Sequence, residues 1–278
     1  MGRIVWLASY PKSGNTWVRA VLTNYLIDGA APASINDLVG RIASDRRLFD
    51  DLTGVEASDL TAAETASYRA EAYRLLAQEH DGLLYLKIHD APASGSVRLI
   101  PDDVTAAAIY IARNPLDVAV SLASHLDCPI DEAVARICDG LTLAEPRGAL
   151  RMQIEQRVLS WGAHVRSWLD DQTFPVHCVR YEDMVEHPHD AFRGIVEATG
   201  QPVDEQRLSR AIDRSTFRSL QTQEESSGFA ERLSARSRFF RSGRSGQWQE
   251  ALQPAQVRRV VGTHSAEMQR FGYVSEVR

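Results

Sequence analysis

The sequence predicts an α/β protein: three layers, α/β/α, around a central and mainly parallel sheet of about five strands, with a P-loop-like phosphate cradle. Three observations carry this. Short apolar runs alternate with longer stretches of helical periodicity, as expected of strands buried on both faces between covering helices. The first run gives way to a turn, YPKSGNTW at 10–17, that mixes a lysine, a glycine and small polar residues before a helical pattern. The composition, 44% hydrophobic and 24% charged over 278 residues, is enough for a sizeable core.

Taken in order, RIVWLAS (3–9) reads as the first strand, and TWVRAVLTNYLI (16–27) as a helix with Val18, Val21, Leu22 and Tyr25 on one face. TAAETASYRAEAYRLLAQE (61–79) opens with Thr61 and Glu64 at capping-box spacing. LLYLKI (83–88), AAAIYIA (106–112) and PVHCVRY (175–181) read as further strands. Pro115 and Pro129 sit where helices can begin. Residues 151–171, 188–199 and 254–270 read as helices. The fifth strand is not assigned to a segment. Residues 28–60 and 215–250 lack periodicity and read as long functional loops, since neither has the bias of a linker.

The formal charge of −6 argues against non-specific nucleic-acid binding. No apolar run reaches the roughly 18 residues of a membrane helix, and the start, MGRIVW, shows no signal peptide. Gly2 lacks the Ser or Thr at position 6 that myristoylation calls for; Trp6 stands there. The three cysteines, Cys128, Cys138 and Cys178, are odd in number and widely spaced, as suits buried thiols in a reducing cytoplasm.

Chemistry collects in four places. In the opening turn, Gly14 lets backbone approach a phosphate, Lys12 supplies charge, and Ser13, Asn15 and Thr16 are short donors at a helix start. The lysine precedes the glycine, unlike the G-x-x-x-x-G-K-[ST] of ATP-binding loops. In IYIARNPLDVAVSLASHL (109–126), Arg113 ends a strand beside a helix start, with Ser121 eight residues on. A guanidinium there suits a terminal phosphate; taken alone, a salt bridge at a strand end is an equal reading. In LKIHDAP (86–92), period-2 alternation turns Lys87 and His89 to one side. A histidine with an ordinary pKa near 6.5 is mostly neutral at neutral pH and able to take a proton, although a lone strand-end histidine is more often structural. Finally, Arg232, Arg236, Arg238, Arg241 and Arg244 crowd RLSARSRFFRSGRSGQW (232–248); Arg232 and Arg236 read as a solvated face. Glu182 and Asp183 resemble a glycosidase pair only on paper, because neighbours on a strand point to opposite faces. HPH (187–189) lacks a third metal ligand and reads as a helix-start loop.

These stretches resemble, in order, the motifs of the cytosolic-type, PAPS-dependent sulfotransferases, of which the chain looks like a bacterial-like member. YPKSGNTW is similar to the 5′-phosphosulfate loop TYPKSGTTW, with Ser9 and Asn15 in place of threonines. ARNPLDVAVS resembles the 3′-phosphate motif, LKIHDAP the K-T-H-x-P segment, and FFRSGRSGQW the closing R-K-G-x-x-G-D-W element. The resemblance implies one domain over residues 1–278 and, as co-substrate, 3′-phosphoadenosine 5′-phosphosulfate (PAPS). Lys12, Ser13, Gly14, Asn15 and Thr16 would hold its 5′ end, Trp17 would stack on adenine, and Arg113 and Ser121 would hold the 3′-phosphate. STF, similar to T-S-F, adds Ser215 and Phe217 as base contacts, and RYEDM adds Tyr181. Arg241 and Gly243 match the closing element; Ser242 stands where lysine is typical, with Arg244 or Arg238 as replacements. His89 would be the general base, Lys87 would bind the transferred group, Lys12 would stabilise the bridging oxygen, and Ser121 would hold Lys12 away until an acceptor arrives.

The implied reaction is in-line sulfuryl transfer, without a metal, to a hydroxyl (less readily an amine) of a small-molecule acceptor. The acceptor pocket is expected from 28–60, 90–100 and 215–240. No nucleic-acid or membrane partner is expected. The location is read as cytoplasmic and the state as monomer or homodimer, since the family's K-x-x-x-T-V-x-x-x-E dimer element has no good counterpart in WQEALQPAQVRRV. The competing readings are a P-loop-type small-molecule kinase using ATP and magnesium, and a non-catalytic nucleotide-binding protein.

Overall fold

A computed structural model describes residues 2–143, 152–170, 172–232 and 238–277. Its frame is built from β1 (Arg3–Ser9), β2 (Arg41–Ile42), β3 (Leu83–Ile88), β6 (Thr105–Ala112) and β9 (Val176–Arg180). They form one parallel sheet in the order β2-β3-β1-β6-β9. β4 (Ala93–Ser94) pairs antiparallel with β5 (Val97–Arg98), and β7 (Leu141–Leu143) with β8 (Gln156–Leu159).

β1 shows why its sequence is nearly continuous in apolar residues. Ile4, Trp6 and Ala8 enter one core with Tyr73, Tyr110, Trp161 and Trp168. Val5 and Leu7 enter a second core with Val18, Leu22, Phe192 and Ile195. The larger aliphatic and phenylalanine side chains each contribute about 1.5–3 kcal/mol by burial, so both faces must be covered. On the first face lie α3 (Ala62–Gln78), α4 (Pro115–Leu126), α5 (Ile130–Asp139), α6 (Trp161–Leu169) and α12 (Pro254–Arg270). On the second lie α1 (Asn15–Ile27), α7 (Tyr181–Glu186), α8 (Pro188–Ala198) and α9 (Glu205–Arg214). This is the expected three-layer α/β/α fold.

The capping box predicted for α3 is formed: Glu64 N–H donates to Thr61 Oγ1 at 3.3 Å, and Thr61 N–H donates to the Glu64 carboxylate at 2.8 Å. Pro115 is the first residue of α4, and Asn114 caps it by accepting from Leu116 N–H. The cysteines are free thiols, Cys138 buried and the other two partly so. Among the described residues no helix is long and apolar enough to cross a membrane.

Several expectations need correction. The fifth strand is β2, inside the stretch read as a loop; two residues pairing along β3 carry no periodicity. The same stretch holds α2 (Arg46–Thr53), capped by Asp45. The other long loop holds α10 (Phe217–Ser227) and α11 (Trp248–Ala251). α10 buries only Leu220 and Glu224, too few to mark a helix. The helix expected over 151–171 is in part a strand: Gln156 and Val158 are buried and Arg157 exposed, and β8 precedes α6. Residues 151 and 171 lie outside the described residues, as does Arg236. Tyr181 opens a helix rather than ending a strand.

Candidate active site

Neighbouring strands of the sheet end side by side, and the chain beyond each end lines one cavity of about 510 Å³. After β1 come Pro11 and Lys12, after β3 His89, after β6 Arg113 and after β9 Tyr181. Ligands of open α/β sheets bind beyond the carboxyl ends of the strands, and the volume is that of a ligand site. The sheet order thus brings together four segments that are far apart in sequence.

The first turn is shaped for an anion. Gly14 is the N-cap of α1 at φ 101°, and no side chain caps that helix, so its opening N–H groups are available to a ligand. A Cβ on Gly14 would lie 2.7 Å from the Tyr181 ring. Lys12 adopts φ 69°, a left-handed backbone that costs a non-glycine residue energy and clusters at functional sites. Ser13 Oγ, Asn15 Oδ1, Trp17 Nε1 and Arg113 Nε are buried without a hydrogen-bond partner, a cluster that calls for one. Arg113 donates to the carbonyls of Lys12 (3.0 Å) and Arg244 (3.1 Å), and its guanidinium lies 4.3 Å from the Tyr181 ring centroid. Its remaining N–H groups stay available.

The chain contains two lysines, Lys12 and Lys87, and both line this cavity. Enclosure by protein, then the charges of Lys87 and Arg113, lower the Lys12 pKa to about 7. Burial lowers Lys87 too, against the opposing pull of Glu231. His89 Nδ1 lies 2.8 Å from the Ser9 carbonyl oxygen. A carbonyl only accepts, so Nδ1 carries the proton and Nε2 is the ring's acceptor. Burial and then the Lys87 charge hold the imidazole well below its usual pKa. The site therefore combines a neutral base, two ammonium groups and an uncapped helix start.

The family model described as Sulfotransferase domain matches residues 3–272. The chain belongs to the sulfotransferase family. It is 25% identical over 282 residues to Sulfotransferase 1A1 of Canis lupus familiaris, covering 96% of this chain and 83% of the relative. With Sulfotransferase 1A1 of Rattus norvegicus it is 27% identical over 229 residues, 77% of this chain and 65% of the relative. Its fold is shared with retinol dehydratase in complex with androsterone and inactive cofactor PAP (TM-score 0.64, 17% identity, 95% of this chain and 80% of that one). Mouse sulfotransferase SULT7A1 complexed with PAP gives a TM-score of 0.59 at 19% identity, over 96% of this chain and 85% of that one.

In this sulfotransferase the expected residues divide. Lys12, Gly14, Asn15, Thr16, Trp17, Lys87, His89, Arg113, Ser121, Tyr181, Phe217, Arg241, Ser242 and Gly243 all line the cavity. Ser13 is fully buried beside it and Ser215 is not part of its wall. Ser215 Oγ accepts from Asn24, and Thr216, the cap of α10, lines the cavity instead. Asn15 does not offer its amide as a donor: Nδ2 is engaged by the Leu7 carbonyl (2.8 Å) and Ser9 Oγ (3.2 Å). The two departures from the family loop thus bond to each other. The Lys12 ammonium sits 3.9 Å from the Phe239 ring centroid, a cation–π contact in place of the one expected with Ser121. Arg244 Nε donates to Ser242 Oγ, whereas Arg238 pairs outward with Glu225; Arg244 is the arginine beside the missing lysine. Glu182 accepts from Asn114 N–H and Tyr273 Oη, and Asp183 pairs with Arg180. Both carboxylates have structural partners, although they lie on a helix and not on the strand expected.

Sequence reasoning missed the residues that shape the lid of the site. Asp117 accepts from Gly246 N–H (2.7 Å) and Trp248 N–H (3.0 Å), and Glu224 from Phe239 and Phe240 N–H (2.7 and 2.9 Å). Both are buried, and these bonds hold residues 239–248 over the cavity. Asp117 lies inside the quoted ARNPLDVAVS, so its position was available as a signal; Glu224 and Glu231 had none. Gly243, at φ 64°, presses on Phe217, whose ring a Cβ would meet at 2.4 Å. Gly243→Ala should cost about 1–3 kcal/mol, read as a lower urea midpoint with an unchanged slope; an unchanged midpoint would show that the loop yields freely.

Proposed function

We propose that this sulfotransferase moves the sulfuryl group of PAPS to a hydroxyl of a small-molecule acceptor by in-line attack, with His89 as general base. The observation that carries the reading is the common cavity: Lys12 and Arg113, expected at opposite ends of one nucleotide, line it together with His89. The unpartnered donors Ser13 Oγ, Trp17 Nε1 and Arg113 Nε support the fit of an anionic ligand there. PAPS supplies the sulfuryl group and a phosphate leaving group. His89 Nε2 takes the acceptor's proton, the Ser9 carbonyl orients the ring, and Lys12 and Lys87 offset charge on the transferred group. Preorganised donors of this kind commonly supply the largest catalytic contribution. Androsterone and retinol, bound in the neighbouring retinol dehydratase structures, support an acceptor of small-molecule size. The apolar share of the wall here, including Ile42, Leu126, Leu143 and Ile154, suits a partly apolar one. We read the chain as one catalytic domain acting in the cytoplasm.

The test is nucleotide discrimination by calorimetry. 3′-Phosphoadenosine 5′-phosphate (PAP) should bind at least about 100-fold more tightly than AMP, since charge-assisted hydrogen bonds contribute about 1.5–3 kcal/mol each. Arg113→Met should remove most of the difference. Equal binding of PAP and AMP by the wild type would reject the 3′-phosphate site. A screen of acceptors with labelled PAPS, read by mass shift, then identifies the acceptor.

A further inference from the structure

Glu231 lies in the cavity wall, just after α10 in sequence but outside every resembling motif, and has no part in the reaction as described above. Its carboxylate is shared. One oxygen accepts from Lys87 Nζ at 2.7 Å, the other from Arg19 at 2.5 Å. Arg19 reaches it from α1, one turn beyond the phosphate cradle, with Nε donating to the Val39 carbonyl at 2.8 Å. The three side chains are largely enclosed, at 12%, 15% and 5% exposure for Lys87, Glu231 and Arg19. Three elements, β3, α1 and the segment after α10, therefore meet at one carboxylate.

We propose that Glu231 is a positioning residue for Lys87: it anchors the ammonium to the cavity wall beside His89 and keeps it charged for the transferred group. The inference rests on the reading of Lys87 as the cation at the sulfuryl end. Two cations confront each other in an enclosed site, and among the described residues one carboxylate, Glu231, pairs with both. Arg19 cannot give up its proton, whereas a buried lysine can. Without Glu231 the repulsion and the desolvation cost fall on Lys87, which becomes neutral. A neutral amine is a poor partner for a sulfuryl group, and its loss of charge also raises the basicity of His89. The engagement with Glu231 uses one of the three N–H donors of Lys87, so two remain to face the cavity. The other charged and titratable groups around Lys87 are Arg19 from α1, His89 from the end of β3, Lys12 from the first loop and His125 from α4. Glu224 acts on Lys12; among the described residues, Glu231 is the anion paired with Lys87 itself.

The unusual lysine usage makes the test clean. Protein grown on lysine labelled with 13C at Cε reports two side chains, Lys12 and Lys87, assigned by Lys12→Arg and Lys87→Arg. In Glu231→Gln the Lys87 titration midpoint should fall by about 1–3 pH units; in Glu231→Asp it should fall less or not at all. A midpoint unchanged in Glu231→Gln overturns the proposal, as does a signal that moves equally in both variants. Adding PAP to the same labelled wild-type sample separates this from the functional reading. A Lys12 resonance that PAP leaves unmoved rejects the nucleotide site, whatever Lys87 does.

Discussion

His89→Ala should reduce sulfuryl transfer by about 10²–10⁴-fold and leave PAP affinity within a factor of about two. The imidazole is held from one side only: Nδ1–H donates to the Ser9 carbonyl, which orients Nε2 as the acceptor. Burial and the neighbouring Lys87 charge depress its pKa well below 6.5, so the functional, neutral form persists under mildly acidic conditions. The sign follows directly. A base works deprotonated, so activity owed to His89 is lost only as pH falls through its lowered pKa, well under the usual histidine range. A rate profile at saturating PAPS should therefore carry no His89 limb between about pH 6 and 7 (about one unit around the ordinary value). Near-wild-type turnover in His89→Ala, or a wild-type limb at 6.5 that the substitution removes, would exclude this histidine in this environment as the base.

PAP affinity should weaken as pH rises above about 7. In the free protein, enclosure and the cations Lys87 and Arg113 bring Lys12 down to about 7. A phosphate beside its ammonium favours the charged form and raises the pKa on binding. The ligand thus prefers protonated Lys12. Below about 7 the group is already charged and affinity is flat on its account. Above that value binding must take up a proton, so the dissociation constant rises by up to about tenfold per pH unit until the bound-state pKa is reached. Calorimetry at pH 8 in buffers of different ionisation enthalpy should register an uptake of about one proton. Lys12→Met should abolish the uptake and cost affinity most strongly at low pH. No proton uptake at pH 8 would mean that Lys12 does not meet the phosphate.

Much of the site was legible because it lies in short segments whose chemistry is local. A lysine, a glycine and short donors at a strand end, an arginine before an Asn-Pro helix start, and a histidine two residues after a lysine each announce themselves without knowledge of their neighbours. α1, α3, α8 and α12 were legible for the same reason: their periodicity, and in α3 the capping box, is written in neighbouring turns. β2 and α10 were not, because their burial comes from other parts of the chain. β2 exists through its pairing with β3, and α10 through Leu220, Glu224 and the phenylalanines packed around them. Ser215 shows the opposite: it has the residue type a nucleotide contact needs, yet its hydroxyl accepts from Asn24 and it is not part of the cavity wall. Asn15 lines the cavity, but its Nδ2 is taken by the Leu7 carbonyl.

By itself the sequence determined the layered α/β architecture and singled out the candidates for a phosphate cradle and a base, since each follows from residue types within a few positions of one another. Only the tertiary structure decided that Glu231 stands between Lys87 and Arg19, that Asp117 and Glu224 pin the closing loop, and that Lys12 rests on Phe239. The reason is physical. Electrostatic pairing and the capture of backbone N–H groups depend on distances of about 3 Å between segments separated by 15 to 212 residues in the chain, and no periodicity or spacing encodes which carboxylate will arrive.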